Sequence, residues 1–204
     1  MFILTTISDL VSLPPHTLYN RDIDNLTERL NSKYANRVLP RVGLCICLYD
    51  IINYSDGLVG AGTGNVNVNV EFRLIVFRPF KGEILTGVIK RCTRQGLEVS
   101  VQFFENISVP KRMLFEGTVF EEEEKEEVGS KGKGTWVWRS DEAELWFDQG
   151  TVVNVRVEVE KWGEERSGGL EGEPGCEGKK AGGGVSYSIE ASIMESGLGG
   201  LDWW

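Results

Sequence analysis

The run Asn65-Val66-Asn67-Val68-Asn69-Val70 alternates without a break, and the same parity continues through Phe72, Leu74 and Val76. Successive side chains of a strand point to opposite faces, so this pattern specifies one long strand with an apolar face and a wet one. Such a strand needs a cover for its apolar face and neighbours for its backbone. Residues 17–34 offer the cover, because Leu18, Ile23, Leu26, Leu30 and Tyr34 recur at near-helical spacing. The apolar runs 2–11 and 42–52 offer the neighbours, the first stopped by Pro14-Pro15. Gly43, inside the second run, predicts a bulge or a close backbone approach. Residues 55–65 are rich in glycine and read as a loop. Residues 1–80 therefore predict a small α+β domain, a helix packed on an antiparallel sheet.

From residue 80 the pattern shortens to strands cut by glycine. Residues 82–90, 97–104, 107–110, 136–138 with 145–147, 151–162 and 185–193 are the candidates. Five or six short strands suit a small all-β barrel of the OB type, so residues 81–204 predict a second domain of that fold. Two insertions interrupt it. Residues 121–134 are an acidic run followed by alternating glycine, and residues 163–184 hold nine glycines with almost no large apolar side chain. Neither can bury enough surface to offset an ordering cost of about 1–2 kcal/mol per residue, so both are expected to be disordered.

The catalytic inventory is thin. Cys45, Cys47, Cys92 and Cys176 form no C-x-x-C spacing, and the single histidine, His16, sits beside the double proline. The glycine-rich loop lacks the Gly-Lys-Ser/Thr ending that cradles phosphate. A structural role for the cysteines, no metal, no cofactor and no enzyme activity are the expectations. No stretch reaches the ~20 apolar residues of a membrane span, and the first residues lack the pattern of a secretory signal, so an intracellular, reducing compartment is expected.

Net charge is -9, but its distribution is uneven. Residues 1–80 balance at zero, residues 81–112 carry +3 and residues 113–204 carry -12. Screening confines each charge to a reach of roughly 8–10 Å, so a basic patch survives inside an acidic protein. Lys90, Arg91 and Arg94 flank a turn, with Phe103, Phe104, Lys111 and Arg112 on the neighbouring strand and loop. Barrels of this type bind single-stranded nucleic acid by stacking bases on aromatic rings while cations track the phosphates. These seven residues are the candidate RNA contacts. Phe103 and Phe104 are adjacent on a strand, so one belongs to the core; periodicity leaves open whether the other is exposed or covers a domain junction.

The segment Tyr34-Ala35-Asn36-Arg37-Val38 leading to Val42-Gly43-Leu44-Cys45-Ile46-Cys47-Leu48-Tyr49-Asp50-Ile51 resembles the N-terminal domain of the large stalk subunits of archaeal and eukaryotic RNA polymerases. Phe77-Arg78-Pro79-Phe80-Lys81-Gly82-Glu83-Ile84-Leu85-Thr86-Gly87 is similar to that family's junction with its OB barrel. The cysteine pair, Trp136-Val137-Trp138 and the ending Gly197-Leu198-Gly199-Gly200-Leu201-Asp202-Trp203-Trp204 resemble the RNA polymerase III branch. The resemblance implies a non-catalytic, nuclear stalk protein that pairs with a smaller helical subunit and docks on the RNA polymerase III core. It implies further that the barrel touches single-stranded RNA and that initiation factors are engaged. The docking tip would map to Asp56, Gly57, Leu58, Gly62 and Asn65. A polymerase I or II stalk, a free translation-type RNA-binding factor and a pure assembly scaffold are the alternatives. Two indoles at positions 203 and 204 are expected to anchor on the barrel, on the partner or on the polymerase core.

Overall fold

The computed structural model describes residues 1–17, 22–122, 134–139, 144–164 and 185–203. They form two compact units, one built from Met1–Arg78 and one from Pro79–Gly163 with Tyr187–Trp204. The insertion cores 123–133 and 165–184, and Leu18 and Trp204, lie outside the described residues.

In the first unit the elements are β1 (Phe2–Leu13), a 3₁₀ turn (Pro15–Thr17), α1 (Asp22–Tyr34), β2 (Arg37–Leu39), β3 (Gly43–Tyr54), β4 (Leu58–Val59) and β5 (Val66–Phe77). The sheet runs β1-β5-β3-β2, with β4 added to β5. The alternating run is thus the central strand. Its even-numbered side chains Val68, Val70, Phe72, Leu74 and Val76 are buried with Val11, Leu13, Leu26 and Leu30, while Asn69 and Glu71 face water. The last turn of α1 is tied to β1 through Asp9, which receives the Lys33 ammonium and the Tyr34 hydroxyl, the latter at 2.6 Å. Ile23, at the helix start, is exposed at 52% instead of joining this core. The helix's apolar stripe is the narrower ridge Leu26, Leu30, Tyr34.

β3 departs from simple alternation. Opposite β5 it slips one residue between Cys45 and Cys47, again between Leu48 and Asp50, and again between Ile51 and Asn53. Three β3 residues therefore oppose two on β5, with Ile46, Tyr49 and Ile52 as the extra ones. Cys45 stands opposite Val76 and Cys47 opposite Ile75, so the two cysteines lie on opposite faces although they are two apart. The Leu48 N–H in this irregular stretch donates to Asn31 Oδ1 of α1 at 2.8 Å. Gly43 opens the strand at φ +138°, where a Cβ would come within 2.5 Å of Val76 Cγ1 and 2.7 Å of the Phe77 carbonyl. The close approach expected of this glycine is present, and the bulges start three residues later.

In the second unit β6 (Ile84–Thr93), β7 (Gly96–Val101) and β8 (Phe104–Pro110) form a meander; β9 (Thr118–Glu122), β10 (Gly134–Arg139) and β11 (Glu144–Phe147) follow, then β12 (Val152–Glu164), β13 (Val185–Ser192) and the short β14 (Gly199–Gly200). β13 pairs with β8 in parallel and also with β12, and β12 pairs with β6. The order β6-β7-β8-β13-β12 thus closes on itself with one parallel pair, which is the Greek-key closure of an OB barrel. Its interior holds Leu85, Ile89, Leu97, Val99, Ile107, Val109, Val153, Val155, Val157 and Ile189, each 3% exposed or less.

Three expectations need correction here. Residues 136–138 and 145–147 do not supply a barrel strand. They pair with each other and with β9 in a separate three-stranded sheet between β8 and β12. β9 ends in Glu121 and Glu122, and β10 starts at Gly134, so the edges of the acidic insertion are strand. Likewise Gly163 is within β12. The run 97–104 is also two strands, because the chain turns at Gln102, held at φ 22°.

Candidate nucleic-acid interface

The barrel brings some of the seven candidate RNA contacts together and separates others. Arg94 lies in the β6–β7 turn, and Lys111 and Arg112 form a 3₁₀ turn directly after β8. The Lys111 N–H donates to the Gln95 carbonyl at 2.8 Å, which fixes these three at one end of the barrel. Phe103 sits in the β7–β8 turn at the opposite end, a separation of about 20 Å along the six residues of β7. Phe103 is 41% exposed, whereas Phe104 is 5% exposed and packs its ring 5.5 Å from that of Tyr187. Phe104 is therefore core, and Phe103 is the more exposed ring of the two. Lys90 and Arg91 stand between the two ends on β6.

Carboxylates shadow these cations, which sequence position alone did not reveal. Lys90 pairs with Glu105 of β8, and Arg91 approaches Glu98 of β7 at 4.0 Å. Arg112 and Lys161 of β12 both bond Glu190 of β13, whose side chain is only 5% exposed. The Lys161 ammonium, then the Arg112 guanidinium, hold the Glu190 carboxyl below the usual carboxylate range. Lys111 lies 5.8 Å from the centroid of the Trp136 ring. The outer surface of β6–β8 thus carries paired charges beside the polar Ser100, Asn106 and Ser108 and the exposed apolar Ile84 and Val88.

Cys45 and Cys92 behave as packing residues. Burial pushes the Cys45 thiol up to about 11, and does the same for Cys92, whose S–H donates to the Phe147 carbonyl at 3.1 Å. Neither holds a nucleophilic thiolate near neutral pH.

In the first unit Asp56, Gly57, Leu58, Gly62 and Asn65 form the tip beyond β3. Leu58 pairs with Asn67 and Val59 with Val66. The Gly60 N–H donates to the Asn65 carbonyl at 2.8 Å, and Gly62 takes φ +80° to close the turn. A Cβ on Gly57 would lie 2.4 Å from Val66 Cγ1, so the backbone runs tight against β5. This hairpin presents Leu58 and Val59, each 72% exposed.

The last helical turn (Leu201–Trp203) returns the chain end to the second unit. The Trp203 ring sits edge-on to Phe147 at 4.6 Å and 6.4 Å from Phe115, over Gly199 and Gly200, where any Cβ would meet the indole within 2.7 Å. The anchor expected of the terminal indoles is thus supplied by Trp203 within its own unit.

Residues 83–204, nearly all of the barrel unit, match the family described as RNA polymerase III subunit Rpc25. The chain belongs to that family. Over residues 8–64 it also matches the SHS2 domain found in the N terminus of Rpb7p, Rpc25p and MJ0397. DNA-directed RNA polymerase III subunit rpc8 of Schizosaccharomyces pombe is 35% identical over 211 residues, covering 100% of both chains. The subunit RPC8 of Saccharomyces cerevisiae is 36% identical over 222 residues, again covering 100% of both. By contrast, the RNA polymerase II subunit RPB7 of Saccharomyces cerevisiae is 31% identical over only 50% of this chain and 60% of its own length. The Rpc25 branch is thereby distinguished from the polymerase II one. The family's fold, an α+β domain followed by an OB-type barrel, is the one seen here.

Proposed function

We propose that this chain is a non-catalytic stalk subunit of nuclear DNA-directed RNA polymerase III, which contacts emerging single-stranded RNA with its barrel and supports initiation. End-to-end similarity to subunits of that name carries the assignment. Its two domains divide the work, residues 1–80 docking on the polymerase core and on a smaller helical stalk subunit, residues 81–204 handling RNA. Docking is supported by the tip, since two adjacent apolar side chains at 72% exposure gain from being covered. A partner subunit is supported by a cavity of about 340 Å³ between α1 and β3, where Ile23, Tyr49, Ile52 and Tyr54 remain half exposed. RNA contact is supported by the exposed Phe103 and by the cations at the β6–β7 end. A subunit that meets every transcript gains from charge and stacking, which are indifferent to base identity.

Affinity purification of the tagged chain from its own cells, followed by mass spectrometry, tests the assembly. Recovery of the large polymerase III subunits and a small helical partner is expected; recovery of ribosomes, or of nothing, refutes it. Leu58→Ser with Val59→Ser is expected to release the core while keeping the small partner. Binding of oligouridylate by the purified stalk dimer at low salt tests the RNA role, and no binding leaves the chain a protein scaffold.

A further inference from the structure

Glu190 of β13 is an acid that solvent hardly reaches, its side chain being 5% exposed. A buried carboxylate is costly unless it is paired, and two cations from different elements pair this one. A terminal nitrogen of Arg112, in the turn after β8, bonds Oε1, and the Lys161 ammonium of β12 bonds Oε2. β13 pairs with β8 and with β12, so each cation comes from one of its two neighbours. The Ile193 N–H donates to the Met113 carbonyl at 2.8 Å, which ties the Arg112 turn to the end of β13.

The two cations themselves stay open, Arg112 at 70% and Lys161 at 56% exposure. The surface here therefore shows both cations over one covered negative charge, a surplus of one positive charge. Lys90 and Arg91 lack that arrangement. Their partners Glu105 and Glu98 are 62% and 47% exposed, so an approaching phosphate meets the carboxylate together with the cation. Charge-assisted bonds run about 2.7–2.9 Å, so two of them on one carboxylate keep the cationic nitrogens within about 8 Å of each other. A phosphodiester carries two anionic oxygens much as a carboxylate does, and can bridge the same pair from the solvent side. The guanidinium and the ammonium each keep N–H groups that Glu190 does not use. Both are held before RNA arrives, which limits the side-chain freedom lost on binding. We propose that Arg112 and Lys161 together clamp a single phosphate of single-stranded RNA over Glu190, and that this site, not Lys90 and Arg91, anchors RNA on the barrel. The inference rests on the RNA reading above and adds Lys161, which lies outside the basic stretch 81–112.

Fluorescence anisotropy of a labelled oligouridylate with the purified stalk dimer, titrated at several salt concentrations, tests the clamp. With either cation gone, Glu190 neutralises the other and the surplus charge disappears. Lys161→Gln, Arg112→Gln and the double variant should therefore all lose the same single phosphate contact. That loss is about 0.7 in the slope of log affinity against log salt, and about 8-fold in affinity at about 50 mM salt. A folding defect lowers the active fraction and leaves the slope unchanged, so the slope identifies a lost contact. Lys90→Gln should cost less than Lys161→Gln, and the reverse order refutes the proposal. Losses that multiply in the double variant, with about 1.4 gone from the slope, refute a shared phosphate. RNA binding that survives Lys161→Gln with affinity and slope intact overturns the clamp alone. No binding by the unaltered dimer overturns the clamp and the RNA reading with it.

Discussion

Replacing Glu98 and Glu105 together by glutamine frees Arg91 and Lys90 without altering the shape of the β6–β8 surface. Both ion pairs are open to solvent, with side chains between 47% and 69% exposed, so each contributes about 0.2–1 kcal/mol. RNA that uses these two cations must first break the pairs. Removing the carboxylates removes that cost, about 0.4–2 kcal/mol in all, which is a tightening of about 2- to 30-fold. Salt also loosens the exposed pairs, so the cost that the variant removes, and with it the gain, should shrink as the salt concentration rises. Fluorescence anisotropy of a labelled oligouridylate, titrated with the purified chain at several salt concentrations, measures both effects. Unchanged affinity at every salt concentration would mean that RNA does not cross the β6–β8 surface. The melting temperature should stay nearly constant, because exposed pairs contribute little to stability.

Phe103→Ala should cost about 1–3 kcal/mol of RNA affinity with no change in thermal stability, whereas Phe104→Ala should cost about 3–5 kcal/mol of stability, read by chemical denaturation. Equal thermal effects of the two would refute the division between stacking ring and core ring. Gly96→Ala drives a Cβ to 2.0 Å from the Val109 carbonyl at φ +150°, so a loss of about 3 kcal/mol or more is expected, with reduced soluble expression as the first sign. Glu190, with its folded carboxyl held low by Lys161 and Arg112, stabilises the barrel above its unfolded value of about 4.3 and loses that contribution as pH falls through the lower folded value. The melting-temperature gap between the native chain and Glu190→Gln should therefore be constant above about pH 5 and close at lower pH; a gap independent of pH would remove the carboxylate from the account.

The alternation from Val66 to Val76 was enough to identify the central strand and its buried face, since a period of two admits one geometry. The same rule does not hold at the cysteine pair. Cys45 and Cys47 ought to share a face, but the slip at Ile46 turns them apart, and a bulge leaves no mark in hydrophobic periodicity. The barrel strands were legible as runs bounded by glycine. Trp136-Val137-Trp138 looked equally strand-like, and nothing local distinguished a barrel member from a strand of the neighbouring sheet.

The candidate site divides in the same way. That residues 81–112 are basic, and that one of Phe103 and Phe104 is core, is written in composition and parity. Which cations are neutralised is not, because Arg112 and Glu190 are 78 positions apart and meet only when β13 closes beside β8. Sequence alone determined most of the long strands, helix α1, the local charge and the family, since each depends on neighbours within a few residues or on residue identity itself. Tertiary structure alone decided the bulges, the barrel's closure, the pairing of its charges and the exposure of Phe103 and Trp146. Those depend on which distant strands share hydrogen bonds, and that choice is made by the packing of the whole unit.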